Sequence, residues 1–368
     1  MKNLYNVKNK GYWQVDNRQF EIKINAILYA QSIDQPVTFH YNDQWWDKLD
    51  WTKEPDADIH DLYAQRAQQL REKYDYVIIK YSGGADSTNI IRTFVDNGLK
   101  IDAIVTNEGY RLSNTPRELW PASEEKIKIV EPFIEELKKQ IDFEYYNIDY
   151  SHQLLLMDSP DWIFRLNVPR LKVMEILACR GTSDPVLEKY NHNRTCVITG
   201  IDKTWVFRHH NKIWTFEVPD WVPVLCEGGH DNMIQEPFYF SADMPEIPCK
   251  QSHLVKNYFQ KSENQTKLDS SPIHDFLRLK TTLVPLIYPQ YCTWEPCTPL
   301  PYFNPEFNGY GPMDNNATHN IKNTPVYDNW KDGIDLADRL LKSEYKDSEN
   351  IWIKGPKWQF TKRKWLGK

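Results

Sequence analysis

The stretch Tyr76-Val77-Ile78-Ile79-Lys80-Tyr81-Ser82-Gly83-Gly84-Ala85-Asp86-Ser87 decides the fold, because a short apolar run breaks there into a glycine turn. Val77, Ile78 and Ile79 are the β-branched run of a strand covered on both faces. Behind the turn, Ile90, Ile91, Phe94 and Val95 recur at helical spacing, and Asn97-Gly98 supplies a stop. The expectation is a buried strand feeding a helix through a loop suited to an anion.

The residue types in the loop say which anion. Gly83 and Gly84 carry no Cβ, so the backbone can fold sharply and set bare N–H groups against a ligand, with the positive end of the following helix behind them. Ser82 and Ser87 are candidate hydroxyl donors to phosphate oxygens. Asp86 beside phosphate calls for a cation between the two, which implies Mg2+ and makes Asp86 a candidate metal ligand and catalytic residue.

Ser82-Gly83-Gly84-Ala85-Asp86-Ser87 resembles the Ser-Gly-Gly-x-Asp-Ser signature of the PP-loop ATP pyrophosphatases, a group that includes asparagine, argininosuccinate, NAD and GMP synthetases and several tRNA-modifying enzymes. The chain lacks the Gly-Lys-Ser/Thr form of phosphate loop. The resemblance implies a HUP-like α/β fold, ATP and Mg2+ as cofactors, and cleavage of ATP between its α and β phosphates to give an adenylated substrate and pyrophosphate. Leu62-Tyr63-x-x-Arg66-Ala67-x-x-Leu70-Arg71 and the central strand are also similar to uncharacterised PP-loop proteins of tailed bacteriophages.

Outward from the loop, the alternation of strand and helix continues. Residues 101–106 read as a second strand, 123–140 as a long helix kinked at Pro132, and 143–148 as a third strand. Such a repeat predicts a parallel sheet with helices on both faces and a ligand beyond the carboxyl ends of its strands. Thr106, Asn107 and Glu108 fall at one such end; the resemblance makes Thr106 and Asn107 candidate adenosine contacts, and otherwise they only begin a loop. Residues 160–180 carry helical spacing broken by Pro169, and Asp184-Pro185 is a candidate helix start.

A fourth strand, 195–198, runs into Thr199-Gly200-Ile201-Asp202-Lys203. In the synthetase branch of the family a later strand ends in a glycine turn whose acid helps hold magnesium, and Gly200 with Asp202 is similar, at a different spacing. Lys203, Arg208 or both are candidates to neutralise leaving pyrophosphate; the alternative is a pair of solvated loop cations. His209-His210 are adjacent and so point apart, which argues against one shared metal.

Residues 1–73 read as an α+β extension. A hairpin turns at Asp16-Asn17, Ile24, Ile27 and Leu28 mark a short helix, Val37, Phe39 and Tyr41 alternate as a strand, and 56–73 is an amphipathic helix leading into the central strand. On that last helix Arg66 falls within the apolar stripe, as a snorkelling stem or as a cation aimed at the nucleotide. With Lys2 at position 2, no N-terminal cysteine nucleophile is expected, so any nitrogen donor is expected free or from another polypeptide.

Residues 74–218 form the expected nucleotide-binding unit, and 219–368 a separate one. From Pro219 onward lie 15 of the 23 prolines, interleaved with aromatics, so a loop-rich region without regular sheet is expected there, with helices near 252–260 and 332–343. Residues 354–368 mix Lys and Arg with Trp358, Phe360 and Trp365 and contain no acid, which suits either a nucleic-acid contact or a solvated tail.

Composition bounds the function classes. A formal net charge of −6 over 368 residues argues against a generally basic nucleic-acid binder. No run approaches the length of a membrane span, and six scattered cysteines without a secretory segment suggest reduced thiols in a cytoplasm, the host's if the protein is viral. Cys292 and Cys297 are too loosely spaced for a strong zinc signal. The leading expectation is an ATP-dependent ligase-type enzyme that adenylates a small molecule or nucleic acid for attack by a nitrogen nucleophile. Sulfur transfer and a nucleotide- or nucleic-acid-binding protein without turnover are the alternatives.

Overall fold

A computed structural model of the chain describes residues 3–108, 126–149, 157–166, 185–201, 204–209, 213–226, 232–261, 264, 284–289, 325–341 and 360–368. The chain begins with strands β1 (Gly11–Val15) and β2 (Arg18–Phe20), joined by the expected two-residue turn with Asp16 in the left-handed region at φ 50°. Helix α1 (Lys23–Ile33) follows, and β3 (Thr38–Tyr41) pairs with β1 to complete an antiparallel sheet of order β2-β1-β3. After the short α2 (Asp43–Trp46) comes α3 (Ile59–Lys73), which starts where the Asp58 carboxylate accepts the His60 N–H at 2.9 Å. Its stripe of Ile59, Leu62, Tyr63, Ala67 and Leu70 is buried, as the spacing predicts.

The central sheet is parallel and has five strands: β4 (Tyr76–Lys80), β5 (Ala103–Glu108), β6 (Glu144–Asp149), β7 (Thr195–Thr199) and β10 (Ile234–Pro237). Between β7 and β10 the chain forms β8 (Val206–Arg208) and β9 (Trp214–Phe216) of a small antiparallel sheet. The order across the central sheet is β10-β7-β4-β5-β6, so the direction of winding reverses between β4 and β7. In open sheets of this kind ligands gather at the carboxyl ends on either side of that reversal.

Helices cover both faces because β4 is apolar on both. Val77 and Ile79 pack with Leu70 of α3, with Ile90, Ile91 and Phe94 of α4 (Ala85–Asp96), and with Phe133 and Ile134 of α5 (Glu131–Leu137). Ile78, Ala103, Val105 and Val197 face the other layer, made by Trp162, by Ile24 of α1 and by Trp330, Ile334 and Ala337 of a later helix at Pro325–Leu340. Gly333 makes the second layer possible, since a Cβ there would lie 2.2 Å from the Trp162 indole nitrogen.

Several expectations need correction. Of the helix expected over 123–140, 123–125 lie outside the described residues, and the rest is a π-helical turn, Lys126–Val130, running directly into α5, with Pro132 near the junction of the two. Residues 160–164 and 185–190 are 3-10 turns, while 167–184, which hold the rest of the 160–180 segment, Pro169 and Asp184, lie outside the described residues. The largest difference lies after residue 218, where regular sheet was not expected. After α6 (Trp221–Cys226), β10 forms the edge of the central sheet, so the sheet does not end at 218. Proline is admitted there because Pro237 ends an edge strand. The 252–260 helix begins earlier, as α7 (Glu246–Gln260), and the 332–343 helix is α8 (Pro325–Leu340).

The end of the chain is also strand. β11 (Lys364–Gly367) pairs with β9 in the small sheet β11-β9-β8, and the buried Lys256 ammonium donates to the Leu366 carbonyl at 2.6 Å. Lys364 and Lys362 pair with Asp47 at 2.5 and 3.1 Å, and Arg363 with Glu217 at 3.0 Å. Residues 360–368 are therefore a docked strand, with the cations at 362–364 beside carboxylates, and not a solvated tail. Residues 354–359 lie outside the described residues. Among the described residues no helix is long and apolar enough to cross a membrane.

Candidate functional site

The loop between β4 and α4 lies at the point where the sheet reverses. Gly83 sits at φ 84°, a conformation that a side chain strains, and Gly84 is the N-cap of α4 at φ −79° without any side-chain cap. The first-turn amides of α4 thus have no capping side chain over them, which is the arrangement that receives anions at helix N-termini.

The loop's hydroxyls are ordered by the loop itself. The Ser82 N–H donates to Ser87 Oγ at 3.2 Å, the Gly84 N–H donates to Ser82 Oγ at 3.3 Å, and Ser87 Oγ and Thr88 Oγ1 donate to the Gly84 carbonyl at 3.3 and 2.9 Å. Ser87 is buried, and its single proton is already directed at Gly84. Ser82 is exposed, which makes it the better donor to an incoming oxyanion. Asp86 lies in the first turn of α4, where negative charge is favoured by the helix.

Gly200 lies at the same place, packed against the loop's helix. It follows β7, the strand next to β4, and a Cβ on it would lie 3.3 Å from the Asp86 backbone carbon and oxygen and 2.7 Å from Ile90 Cδ1. Glycine is needed because the exit of β7 runs against the first turn of α4. From the other side, the Tyr239 hydroxyl donates to the Asp86 carbonyl at 2.6 Å and accepts from Asn89 Nδ2 at 3.2 Å. Neither Tyr239 nor Asn89 was expected from the sequence. Neither carried a signal, since Asn89 falls opposite the Ile90, Ile91, Phe94 and Val95 stripe of α4 and Tyr239 lies far along the chain.

The other sequence candidates divide. Thr106 lies at the carboxyl end of β5, buried, with its hydroxyl 2.7 Å from the Tyr145 hydroxyl and 3.3 Å from Asn147 Oδ1, so it ties β5 to β6. Asn107 follows it on β5. Asp202, Lys203, His210, Cys292 and Cys297 lie outside the described residues. Arg208 is on β8 in the small sheet, with its guanidinium 6.0 Å from the Trp214 ring centre. His209 is engaged with Thr215 Oγ1 at 2.9 Å. Among the described residues, no three His, Cys, Asp or Glu side chains group to hold a metal.

Arg66 is neither a snorkelling stem nor a ligand contact. It is fully buried and donates to Glu236 of β10 at 2.8 Å and to the Pro237 carbonyl at 3.1 Å. Glu236 also receives Lys73 at 2.8 Å and the Tyr74 hydroxyl at 2.6 Å. Burial pushes the Glu236 carboxyl up, but Arg66, Lys73 and Tyr74 together hold it below the usual glutamate value.

A cavity of about 410 Å³ opens at the opposite, amino end of the sheet, lined in part by Tyr76, Asp102, Glu144, Lys189 and Tyr190. Its charges are matched among themselves: Lys189, Tyr146 and Tyr190 hold Glu144 down to about 2, and Asp102 receives Arg71 at 2.6 Å and Lys100 at 2.7 Å. The carboxyl end, with uncapped amides and a glycine in the left-handed region, is the better candidate. Cys196 and Cys249 are buried free thiols, and burial pushes the Cys249 thiol up to about 12, which leaves it inert near neutral pH. No protein-family model matches this chain, and no curated protein matches it.

Proposed function

We propose that this chain is an ATP pyrophosphatase of the PP-loop type with a HUP-like sheet, which adenylates an acceptor oxygen and releases pyrophosphate. The observation that carries the reading is the Ser82–Ser87 sequence lying after the first strand of a parallel sheet, at the reversal of strand order, with an uncapped helix start behind it. Such a loop offers backbone N–H groups and the Ser82 hydroxyl to phosphate oxygens, and these are fixed before the ligand arrives.

The residues present suit Mg2+ in the way phosphate-bridging magnesium is usually held, by one or two carboxylates together with the nucleotide. Asp86 is the first such carboxylate, and Asp202 is the second candidate. Bound Mg2+ would supply charge neutralisation on the phosphate oxygens. Gly83 admits the turn, and Lys203 and Arg208 are candidates to meet the departing pyrophosphate. Thr106 and Asn107 are candidates for the adenosine side. A nitrogen nucleophile from solution or from another polypeptide completes the reaction in this reading, on a small-molecule or nucleic-acid acceptor in the cytoplasm. Sulfur transfer is the second reading, and in it the buried Cys249 would be a poor sulfur carrier.

The test is to incubate the protein with ATP, Mg2+ and a panel of carboxylate and nucleic-acid acceptors and to follow phosphorus-containing products by 31P NMR. AMP and pyrophosphate appearing in equal amounts is the expected result; ADP and phosphate would refute the reading.

A further inference from the structure

We propose that Tyr239 is a positioning residue for the 82–87 loop, holding the backbone of Asp86 against the exit of β7 at Gly200. The inference rests on the reading of that loop as the ATP site and adds to it a residue from a distant part of the chain.

Three observations converge on one carbonyl. The Tyr239 hydroxyl donates to the Asp86 oxygen at 2.6 Å. The same hydroxyl accepts from Asn89 Nδ2 at 3.2 Å, so its proton is aimed at Asp86. On the other side the fit is tight: a Cβ at Gly200 would lie 3.3 Å from that same oxygen. An α-helical carbonyl already accepts from the N–H four residues on, so satisfying Asp86 does not require a tyrosine. The second bond fixes where the first turn sits.

The ring itself cannot swing away. Tyr239 is fully buried, with Tyr63 edge-on at 5.5 Å and Tyr288 at 5.0 Å between centres. Tyr63 is anchored in turn, accepting from Gln251 Nε2 at 2.7 Å and donating to the Ile287 carbonyl. The side chain of Asp86 leaves from the carbon next to that residue's own carbonyl. A displaced first turn therefore moves the carboxylate, and an error of about 1 Å at a reacting centre costs on the order of a hundredfold in rate.

The experiment compares wild type with Tyr239→Phe, which keeps the ring, and with Asn89→Ala, which frees the hydroxyl. Three quantities are read: thermal midpoint, amide hydrogen exchange in the loop with β4 as internal control, and kcat and KM for AMP formation from ATP. The expected result for Tyr239→Phe is faster exchange at residues 83–87 with β4 unchanged. In turnover, kcat should fall by about tenfold to a hundredfold while KM for ATP changes little. Asn89→Ala should shift both readouts in the same direction. Wild-type exchange and wild-type kcat in Tyr239→Phe would overturn the proposal, as would equal acceleration of exchange in β4, which marks general loosening. Faster loop exchange in Tyr239→Phe, with wild type forming no AMP, would uphold the positioning and refute the ATP reading instead.

Discussion

Replacing Glu236 by alanine should destabilise the whole sheet, because it strands a guanidinium in the interior. Arg66 and Glu236 are 0% and 2% exposed and meet at 2.8 Å, joining α3 to the edge strand β10. Removing one partner of such a pair costs about 3–5 kcal/mol, since the remaining charge stays buried without compensation. That is a large share of a total stability of about 5–15 kcal/mol. With a urea slope of about 3 kcal/mol/M, the midpoint should fall by about 1–2 M, followed by tryptophan fluorescence. The double variant Arg66→Met/Glu236→Leu removes both charges and should recover most of the loss. The pair also has a pH signature. Its neighbours hold Glu236 below the usual value of 4.5, so its stabilisation is complete above about pH 4.5 and is lost as pH falls through the lowered value. Wild type should therefore lose stability on acidification more steeply than the double variant. A Glu236→Ala midpoint within about 0.3 M of wild type, or a double variant no better than the single, would refute this account of the pair.

Three other perturbations have defined outcomes. Asp86→Asn should leave the circular dichroism spectrum unchanged and strongly weaken Mg2+-dependent ATP turnover, since a metal would lose a charged ligand; unchanged turnover would remove Asp86 from the site. Thr199→Val should stabilise the protein by about 1 kcal/mol in urea titration, because the buried Thr199 hydroxyl has no hydrogen-bond partner among the described residues and the valine has nearly the same shape. Deleting residues 360–368 should lower the thermal midpoint by several degrees, since it removes β11 and the carbonyl that receives buried Lys256, while the salt dependence of binding to single-stranded DNA should not change. A flatter salt slope in the truncated protein would return the tail to a nucleic-acid role.

The central strand, its turn and the following helix were legible because local signals agreed: a β-branched run, two glycines and a 3.6-residue apolar repeat. The same agreement placed the hairpin at Asp16-Asn17 and the strands near 144 and 195. What sequence could not provide was pairing across distance. β10 is four residues long, ends in proline and lies in an aromatic, proline-rich region, so nothing local marks it as the fifth strand of the sheet. Only its Glu236, matched to an arginine 170 residues earlier, explains why it docks there. The docking of the basic end was hidden for the same reason, since Asp47 and Glu217, which pair with its cations at 362–364, lie far away in sequence.

The site was half legible. Gly83 and Asp86 announce themselves in the motif, and their geometry follows from the turn. Gly200 was singled out as part of a glycine turn, but its close approach to the first turn of α4 was not legible. Tyr239 reaches the loop from beyond β10, and a tyrosine among Phe238, Tyr239 and Phe240 looks like core. Its hydroxyl is distinguished only by what it touches.

Exchange of labelled pyrophosphate into ATP tests the central claim most directly, because it reads the α–β bond without needing the final nucleophile. Wild-type protein with ATP, Mg2+ and a competent acceptor should incorporate label from pyrophosphate into ATP, and Asp86→Asn should do so far more slowly. Accumulation of ADP with no incorporation of labelled pyrophosphate would contradict the account.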